Sequence, residues 1–285
     1  MRLTDYIDAC NRWNPGNFLP LTIDGRRVGL VRPSFAGVLA GWEELFRLQE
    51  DVLQLRLPPA PTLEQRSRPL RPVLQSLVEQ GVLSHLHGEQ YPVTPGGPGD
   101  GLALIDRAAA APFGIRAFGQ HLNGYVRTDD GLMLWVAKRS ADRIHFPGKL
   151  DNMVAGGLPW GLTLEQNLAK ECREEAGMEA ELAARAQPVG ALTYVAETDR
   201  GLKPDTLYCY DLELPADFRP RCTDGEVEWF ELWPVERVLQ TLLAGEAFKL
   251  NCNLVIIDFL IRHGVIRPDH EEYLDLIPGL HPPLP

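Results

Sequence analysis

Apolar residues recur at helical spacing through much of the first hundred positions. After Ser34, apolar residues between positions 38 and 46 follow a three- and four-residue spacing, which predicts a helix capped by that serine. Thr62 and Gln65 match the pattern of a capping box, and a further helix is predicted over 73–82. Residues 102–111 predict one more short helix. The region therefore reads as short helices separated by prolines.

The pattern changes after about residue 118, where strand-like runs alternate with helices. Runs 121–126 and 131–137 flank Asp129-Asp130-Gly131, which predicts a hairpin. Further strands are predicted over 191–196, 206–214 and 227–232, and helices over 164–176, 234–243 and 253–263. This mixture predicts an α+β fold with a mixed sheet between helical layers. We expect a smaller, mainly helical α+β domain over 1–118, followed by a larger domain over 119–285.

The composition is that of an ordinary globular protein and narrows the class of partner. The chain has 285 residues, 45% hydrophobic and 24% charged, with a net charge of −11. That charge argues against non-specific nucleic acid binding, although acidic side chains can hold a divalent cation. The five cysteines are spread without metal-ligand spacing, which predicts neither a disulfide framework nor a zinc site and suits a cytoplasmic location. We expect no signal peptide and no membrane span, because no apolar run approaches about 20 residues.

Three carboxylates on one predicted helix carry the strongest chemical signal. Glu171, Glu174 and Glu175 are related by three and four residues, so they share a helix face. Their mutual repulsion is unfavourable unless a hard cation binds, and Mg²⁺ prefers such oxygen ligands together with phosphate oxygens. Gly156 and Gly157 before the helix permit a tight loop close to a ligand, and Gly177 is placed to end the helix.

This segment resembles the Nudix hydrolase family. The family's motif is Gly, five residues, Glu, seven residues, and Arg-Glu-hydrophobic-x-Glu-Glu-x-Gly-hydrophobic. The chain matches it at Gly156 and over 170–178, Lys-Glu-Cys-Arg-Glu-Glu-Ala-Gly-Met. It departs at Leu162, where the first Glu is expected, and at Lys170, where Arg is expected. The resemblance implies a Nudix α/β/α sandwich, metal ligands Glu171, Glu174 and Glu175, and Mg²⁺ or Mn²⁺ as the cofactor.

A narrower resemblance covers most of the chain. The segments that carry it are 113–116, 121–126, 147–152, 200–202 and 258–264. They are similar to a Nudix subgroup that has an N-terminal domain of unknown function, and to the Nudix part of fungal thiamin pyrophosphokinase fusions. The resemblance implies hydrolysis of thiamin diphosphate, or of its oxidised toxic analogues, to the monophosphate and phosphate. It also implies a small-molecule partner, with a homodimer as a common assembly.

Other functions remain open at this point. ADP-ribose or NADH is an alternative substrate, since the motif identifies a diphosphate and not the attached group. A binding module that has lost activity is the non-enzymatic alternative. Isopentenyl diphosphate isomerase shares the scaffold but needs a cysteine before the motif. This chain has Asn-Met-Val-Ala at 152–155, so the isomerase reaction is disfavoured.

The remaining candidates concern the general base and the substrate contacts. By the resemblance the catalytic set contains Glu174, Glu175 and Glu226, and Glu175, Glu226 or its strand neighbour Glu228 could be the base. The candidate substrate-binding residues are Arg139, Lys149, Gly156, Gly157, His121 and Asn123, with Arg143 and Trp160 as further possibilities. A surface or packing role is an open alternative for each of these side chains.

Overall fold

The computed structural model of the chain describes residues 1–143 and 145–285. The first part contains helices α1 (Thr4–Cys10), α2 (Pro33–Leu39), α3 (Leu63–Ser67) and α4 (Leu70–Glu79). Its strands are β1 (Leu19–Ile23), β2 (Arg26–Val31), β3 (Phe46–Gln49), β4 (Val52–Leu55), β5 (Gln90–Val93) and β6 (Ala103–Asp106). Short 3₁₀ turns cover Pro15–Asn17 and Arg107–Ala109.

The N-terminal strands form a four-stranded sheet and a separate hairpin. The sheet has the order β2-β1-β4-β3, in which β1 and β4 run parallel, and β5 pairs antiparallel with β6. Leu21, Ile23 and Leu53 from the sheet pack with Leu77 of α4 and Phe113 in one buried cluster. Burial of these side chains against α4 stabilises the small domain.

Two predicted helices of this region are wrong in part. The helix after Ser34 ends at Leu39, and Phe46 begins β3 opposite Leu55. Gly37 and Gly41 weaken helix propagation there, so pairing with β4 decides the conformation. Residues 103–106 form a strand because this continuously buried apolar run pairs with β5, and periodicity alone does not separate such a run from a buried helix. The capping of α3 by Thr62 is confirmed, since its hydroxyl accepts from Gln65 N at 3.2 Å.

The second part contains the larger sheet. Its strands are β7 (Ala117–Thr128), β8 (Gly131–Arg139), β9 (Leu150–Asp151), β10 (Val154–Gly157), β11 (Gln187–Thr198), β12 (Gly201–Glu213) and β13 (Val227–Pro234). Its helices are α5 (Leu164–Ala176), α6 (Ala180–Ala183), α7 (Val235–Ala244), α8 (Leu250–Arg262) and α9 (Tyr273–Gly279). The strand order is β11-β12-β7-β8-β13, with β10 paired to β7 and β9 to β8. The predicted hairpin, strands and helices are confirmed, and the β12–β7 pair is parallel, so the sheet is mixed.

Helices α5 and α8 cover opposite faces of this sheet. Along β12, Leu207 and Cys209 join the cluster that contains α8, whereas Tyr210 and Leu212 join the cluster that contains Cys172 of α5. This alternation follows from the two-residue period of a strand. The sandwich of helices around a mixed sheet is confirmed.

Helix α1 packs on the second part, although it lies near the start of the chain. Leu3, Tyr6 and Ile7 belong to the same buried cluster as α8. The Glu272 carboxylate accepts hydrogen bonds from Thr4 N at 3.0 Å and from Leu3 N at 3.1 Å. Within residues 1–143 and 145–285, each helix is too short or too polar to cross a membrane.

Candidate active site

Helix α5 is fixed at both ends by local hydrogen bonds. Thr163 Oγ1 accepts from Gln166 N at 3.1 Å, and Gln166 Oε1 accepts from Thr163 N at 3.0 Å, which completes a capping box. Gly177 follows the helix with φ 60° and so takes the left-handed conformation that favours glycine. These two boundaries set which side chains of the helix face the sheet.

The three glutamates of α5 differ in exposure. The Glu175 residue is 8% exposed, and the side chains of Glu171 and Glu174 are 13% and 44% exposed. Leu168 and Cys172 on the neighbouring face are buried against the sheet. The carboxylates therefore run from the covered interior of the sandwich to its surface along one side of the helix.

Gly156 allows Glu171 to lie directly against strand β10. A Cβ atom at position 156 would come within 2.3 Å of Glu171 Cδ, so the Glu171 side chain would have to move from its present position. Gly156 is thus a close approach of backbone to carboxylate, but it lies in strand β10 and not in the tight loop that the sequence predicted. At Gly157 the added Cβ would lie 2.2 Å from Tyr91 Oη of the N-terminal domain.

Glu175 is a buried carboxylate with few hydrogen-bond partners among the described residues. In the described residues it accepts one hydrogen bond, from Ala155 N at 2.8 Å. Burial raises the pKa of Glu175 to about 8, and the charges of Asp151, Glu171 and Glu226 add to that effect. A carboxylate in this setting gains stability from a bound cation more than from any neighbour it already has.

Lys170 takes the position of a counter-ion for the other two glutamates. Its ammonium lies 3.2 Å from Glu171 Oε1 and 2.7 Å from Glu174 Oε2. Burial opposes the charge, but both carboxylates raise the pKa of Lys170 above its ordinary value. Lys170 therefore replaces the motif's Arg with single contacts to two carboxylates. The three glutamates offer only oxygen donors, the type that a hard divalent cation prefers, but within the described residues their carboxylates do not form one cluster of atoms within 4.8 Å of one another.

The two candidate bases on and before β13 have different surroundings. Glu226 forms an ion pair with Arg143, and its charge is close enough to raise the pKa of Glu175. Glu228 instead pairs with Lys138 at 3.0 Å. Of these two glutamates, Glu226 is the one whose charge acts on a carboxylate of α5.

The cations expected at the substrate have protein partners. Arg139 is 9% exposed, forms an ion pair with Asp151 at 2.9 Å and donates to His145 O at 3.1 Å. Lys149 Nζ donates to the Glu246 carbonyl. The sequence could not reveal these partners, because they lie on separate elements or in a loop.

His121 and Asn123 lie on the face of β7 that meets α8, away from α5. His121 Nδ1 is 2.9 Å from Asn152 Oδ1, and Asn152 Nδ2 donates to Asn123 Oδ1 at 3.0 Å. Asn123 Nδ2 in turn donates to Asp211 Oδ1 at 3.1 Å. Burial lowers the pKa of His121 to about 4, so the imidazole is neutral near pH 7. These side chains form a connected buried polar network.

One group on this face has the composition of a metal site. Atoms of His121, Asp151 and Cys252 lie within 4.8 Å of one another, and all three residues are buried. Asp151, however, already accepts from Asn152 N, Cys252 Sγ, Arg139 Nη1 and Lys249 Nζ, at 2.9, 2.6, 2.9 and 3.4 Å. Two cations neutralise this carboxylate, so the group is better described as a satisfied polar core than as a cation site. Sequence spacing gave no sign of it, since its members come from β7, β9 and α8.

The N-terminal domain contacts the loop before α5. Trp160 Nε1 donates to Glu64 Oε1 at 2.9 Å, and Trp160 N donates to Gln90 O at 2.7 Å. Trp160 is thereby fixed against the other domain. The nearby residues Tyr91 and Arg107, which sequence reasoning missed, reach Gly157 from the same side.

Two family models match successive parts of the chain. The family model of the domain of unknown function DUF4743 matches residues 2–117, and that of the NUDIX domain matches residues 122–253. The chain is 41% identical to Nudix hydrolase 20, chloroplastic, of Arabidopsis thaliana, over 96% of this chain and 77% of that protein. It is also 41% identical to Nudix hydrolase 24, chloroplastic, of the same plant, over 95% and 75%. The crystal structure of DR0079 from Deinococcus radiodurans is similar with a TM-score of 0.45 and 23% identity, over 60% of this chain and 98% of that one.

Proposed function

Because this chain belongs to the Nudix hydrolase family, we propose that it hydrolyses thiamin diphosphate or its oxidised analogues to the monophosphate and phosphate, with Mg²⁺ as cofactor. The observation that carries the hydrolytic part is the buried Glu175, which accepts one hydrogen bond among the described residues and shares a helix face with Glu171. Nudix hydrolases generally use divalent metals. Mn²⁺ is the alternative cation for the same oxygen donors.

Glu171, Glu174 and Glu175 would hold the cation. When bound, it would neutralise charge on the diphosphate and on the departing phosphate. Lys170 would keep its contact with Glu174, the most exposed of the three carboxylates, and so orient it. The N–H of Ala155 fixes one oxygen of Glu175 and leaves the other for a ligand.

Glu226 would accept the proton of the attacking water. The water oxygen forms a bond to the terminal phosphorus, the bridging P–O bond breaks, and the released monophosphate keeps the bridging oxygen. Glu226 precedes β13 at the edge of the site, and its charge acts on Glu175. Arg143, its ion-pair partner, orients the carboxylate.

The substrate class rests on the resemblance of the subgroup segments to the Nudix part of thiamin pyrophosphokinase fusions. Those segments include 121–126, which forms part of β7, and 147–152, which contains β9. ADP-ribose and NADH are the alternative substrates, because the glutamates would recognise only the diphosphate shared by all of them.

The test is phosphate release from thiamin diphosphate, its oxo and oxy analogues, ADP-ribose and NADH, with and without Mg²⁺. Nucleotide products are measured for the last two substrates, whose cleavage releases no free phosphate. Glu175→Gln should abolish metal-dependent turnover, while Glu165→Gln, an exposed glutamate in the first turn of the same helix, should leave it unchanged.

The outcomes separate the parts of the proposal. Turnover of ADP-ribose or NADH alone keeps the hydrolase assignment and contradicts the thiamin assignment. Retained metal binding with no turnover of any substrate would favour a binding module. The departure at Leu162, whose side chain is exposed in the loop before α5, is the feature that such a result would point to.

We also propose a reducing compartment for the protein. All five cysteines are free thiols, and four of them are buried. This fits a reducing compartment such as the cytoplasm. A homodimer stays a prediction, which light scattering on the purified chain would decide.

A further inference from the structure

Tyr91 and Arg107 of the N-terminal domain lie against Gly157 of strand β10. A Cβ built on Gly157 would be 2.2 Å from Tyr91 Oη and 3.7 Å from Arg107 Cζ. Tyr91 is 5% exposed, and within the described residues its hydroxyl makes no hydrogen bond. The first domain therefore brings a phenol and a guanidinium against the strand that carries Gly156 and Gly157.

The electrostatics tie these residues to Glu171. Burial alone would lower the pKa of Arg107, but the neighbouring Tyr91, Glu89 and Glu171 raise it above its ordinary value. Arg107 is thus a permanent cation within electrostatic reach of a candidate metal ligand.

Further basic groups face Arg107 from the Nudix domain. His145 lies 3.2 Å from Arg200 Nη2, measured to Nε2. Burial lowers the pKa of His145, and the charges of Arg200, Lys203, His87 and Arg107 lower it further. We call these five residues the basic rim: His87, Arg107, His145, Arg200 and Lys203. Both domains contribute to it.

Of the three permanent cations of the basic rim, Arg107 and Lys203 each have a carboxylate partner. Lys203 pairs with Asp205 at 3.1 Å, and Arg107 pairs with Glu89 at 2.8 Å, with both side chains of the latter pair about two-fifths exposed. In the part of the chain that the structure describes, Arg200 has no carboxylate partner. A group of cations beside oxygen ligands is the arrangement that a metal–diphosphate complex needs, because the carboxylates take the cation and the guanidinium takes the phosphate oxygens.

We propose that the N-terminal domain completes the substrate site, and that Arg107 binds the diphosphate of the substrate. This inference rests on the proposed hydrolysis of a diphosphate. It assigns the first domain a direct role in substrate binding, beyond its packing against Trp160. Glu89 holds Arg107 in place until a phosphate competes for the guanidinium, and an exposed pair of this kind costs little to break.

The test is binding of methylenediphosphonate, a diphosphate analogue that cannot be hydrolysed, at one fixed Mg²⁺ concentration. Isothermal titration calorimetry on the full chain should show a Kd about tenfold to a hundredfold weaker for Arg107→Gln than for the unchanged protein. The Kd of Arg107→Lys should lie between these two values, because lysine keeps the positive charge but cannot donate two parallel hydrogen bonds to a phosphate. In turnover assays, Arg107→Gln should mainly raise KM.

Two variants separate binding from structure. Arg47→Gln, on the exposed edge strand β3, should leave the Kd unchanged. Glu89→Gln removes the partner of Arg107 and should leave binding unchanged or tighten it. An equal loss in Glu89→Gln and Arg107→Gln would show that only the ion pair matters and would overturn the inference. So would an unchanged Kd in Arg107→Gln, or no binding by the unchanged protein. Weakened binding in Arg107→Gln together with an enzyme inactive on every diphosphate would retain the inference and contradict the proposed reaction.

Discussion

The two faces of the Nudix sheet both carry buried acidic groups, but these groups differ in their hydrogen-bond partners and in the direction of their pKa shifts. Toward α8, Asp151 accepts four hydrogen bonds, two of them from Arg139 and Lys249. Toward α5, Glu175 accepts one hydrogen bond in the described residues. Although burial opposes ionisation in both cases, the cations hold the pKa of Asp151 below its ordinary value, whereas the pKa of Glu175 rises to about 8.

The difference distinguishes a structural polar group from a functional one. A buried network whose members are all satisfied stabilises one arrangement of the core. A buried carboxylate left with few partners costs folding free energy, and such groups concentrate where a ligand or metal supplies the missing interactions. The α5 face therefore has the properties of a binding site, and the α8 face those of a scaffold.

Replacement of Glu175 should have the largest effect, and on activity alone. Glu175→Gln should lower metal-dependent phosphate release by about 100-fold or more, since a group that positions charge at the reacting centre is lost. The free energy of unfolding of the metal-free variant should not fall, because the neutral glutamine amide can accept the hydrogen bond from Ala155 N in place of the carboxyl group. Urea denaturation beside the activity assay checks both. A variant that is destabilised and still active would reverse the assignment of the two faces.

Replacement of Arg139 should instead act mainly on stability. Arg139→Ala removes one ion-pair partner of the buried Asp151. The substitution should therefore reduce the free energy of unfolding by about 3–5 kcal/mol. The matched control is Arg127→Ala, whose pair with Glu213 is more than half exposed and should contribute less than about 1 kcal/mol. Equal losses in the two variants, measured by urea denaturation, would contradict a structural role for the buried pair.

The low pKa of His121 predicts how the free energy of unfolding changes as the pH falls. The pKa of His121 is about 4 in the folded protein, below the ordinary 6.5, so the unfolded chain binds the proton first as pH falls. Stability from this group is complete above pH 6.5 and decreases as pH falls toward 4, by up to about 3 kcal/mol.

The measurement is urea denaturation of the unchanged protein and of His121→Gln between pH 7 and 5, a range above most carboxylate titrations. The unchanged protein should lose stability more steeply than the variant. Parallel curves would show that His121 does not carry the pH dependence.

Cys252 should show the smallest effect. Cys252→Ser keeps a donor for Asp151 Oδ1 and should change the free energy of unfolding by under about 1 kcal/mol. Cys252→Ala removes that donor and should cost more. Thermal unfolding of both variants gives the order, and a larger loss for serine than for alanine would argue against the hydrogen bond.

The sequence was most informative where an element makes its own contacts. Helix α5, its cap at Thr163 and its end at Gly177 follow from neighbouring residues, so the shared face of Glu171, Glu174 and Glu175 was predictable. The partners of Arg139 and His121 were not, because Asp151 and Asn152 reach them only through strand pairing. Likewise, the periodicity that suggested a helix over 102–111 could not show that β6 pairs with β5.

The contrast between the faces is tested most directly by Mn²⁺ titration calorimetry on the unchanged protein, Glu175→Gln and Cys252→Ala. We expect the affinity for Mn²⁺ to fall at least about tenfold in Glu175→Gln and to stay unchanged in Cys252→Ala, because the α5 carboxylates bind the cation. Loss of Mn²⁺ affinity in Cys252→Ala with full affinity in Glu175→Gln would place the metal among His121, Asp151 and Cys252 and contradict the account.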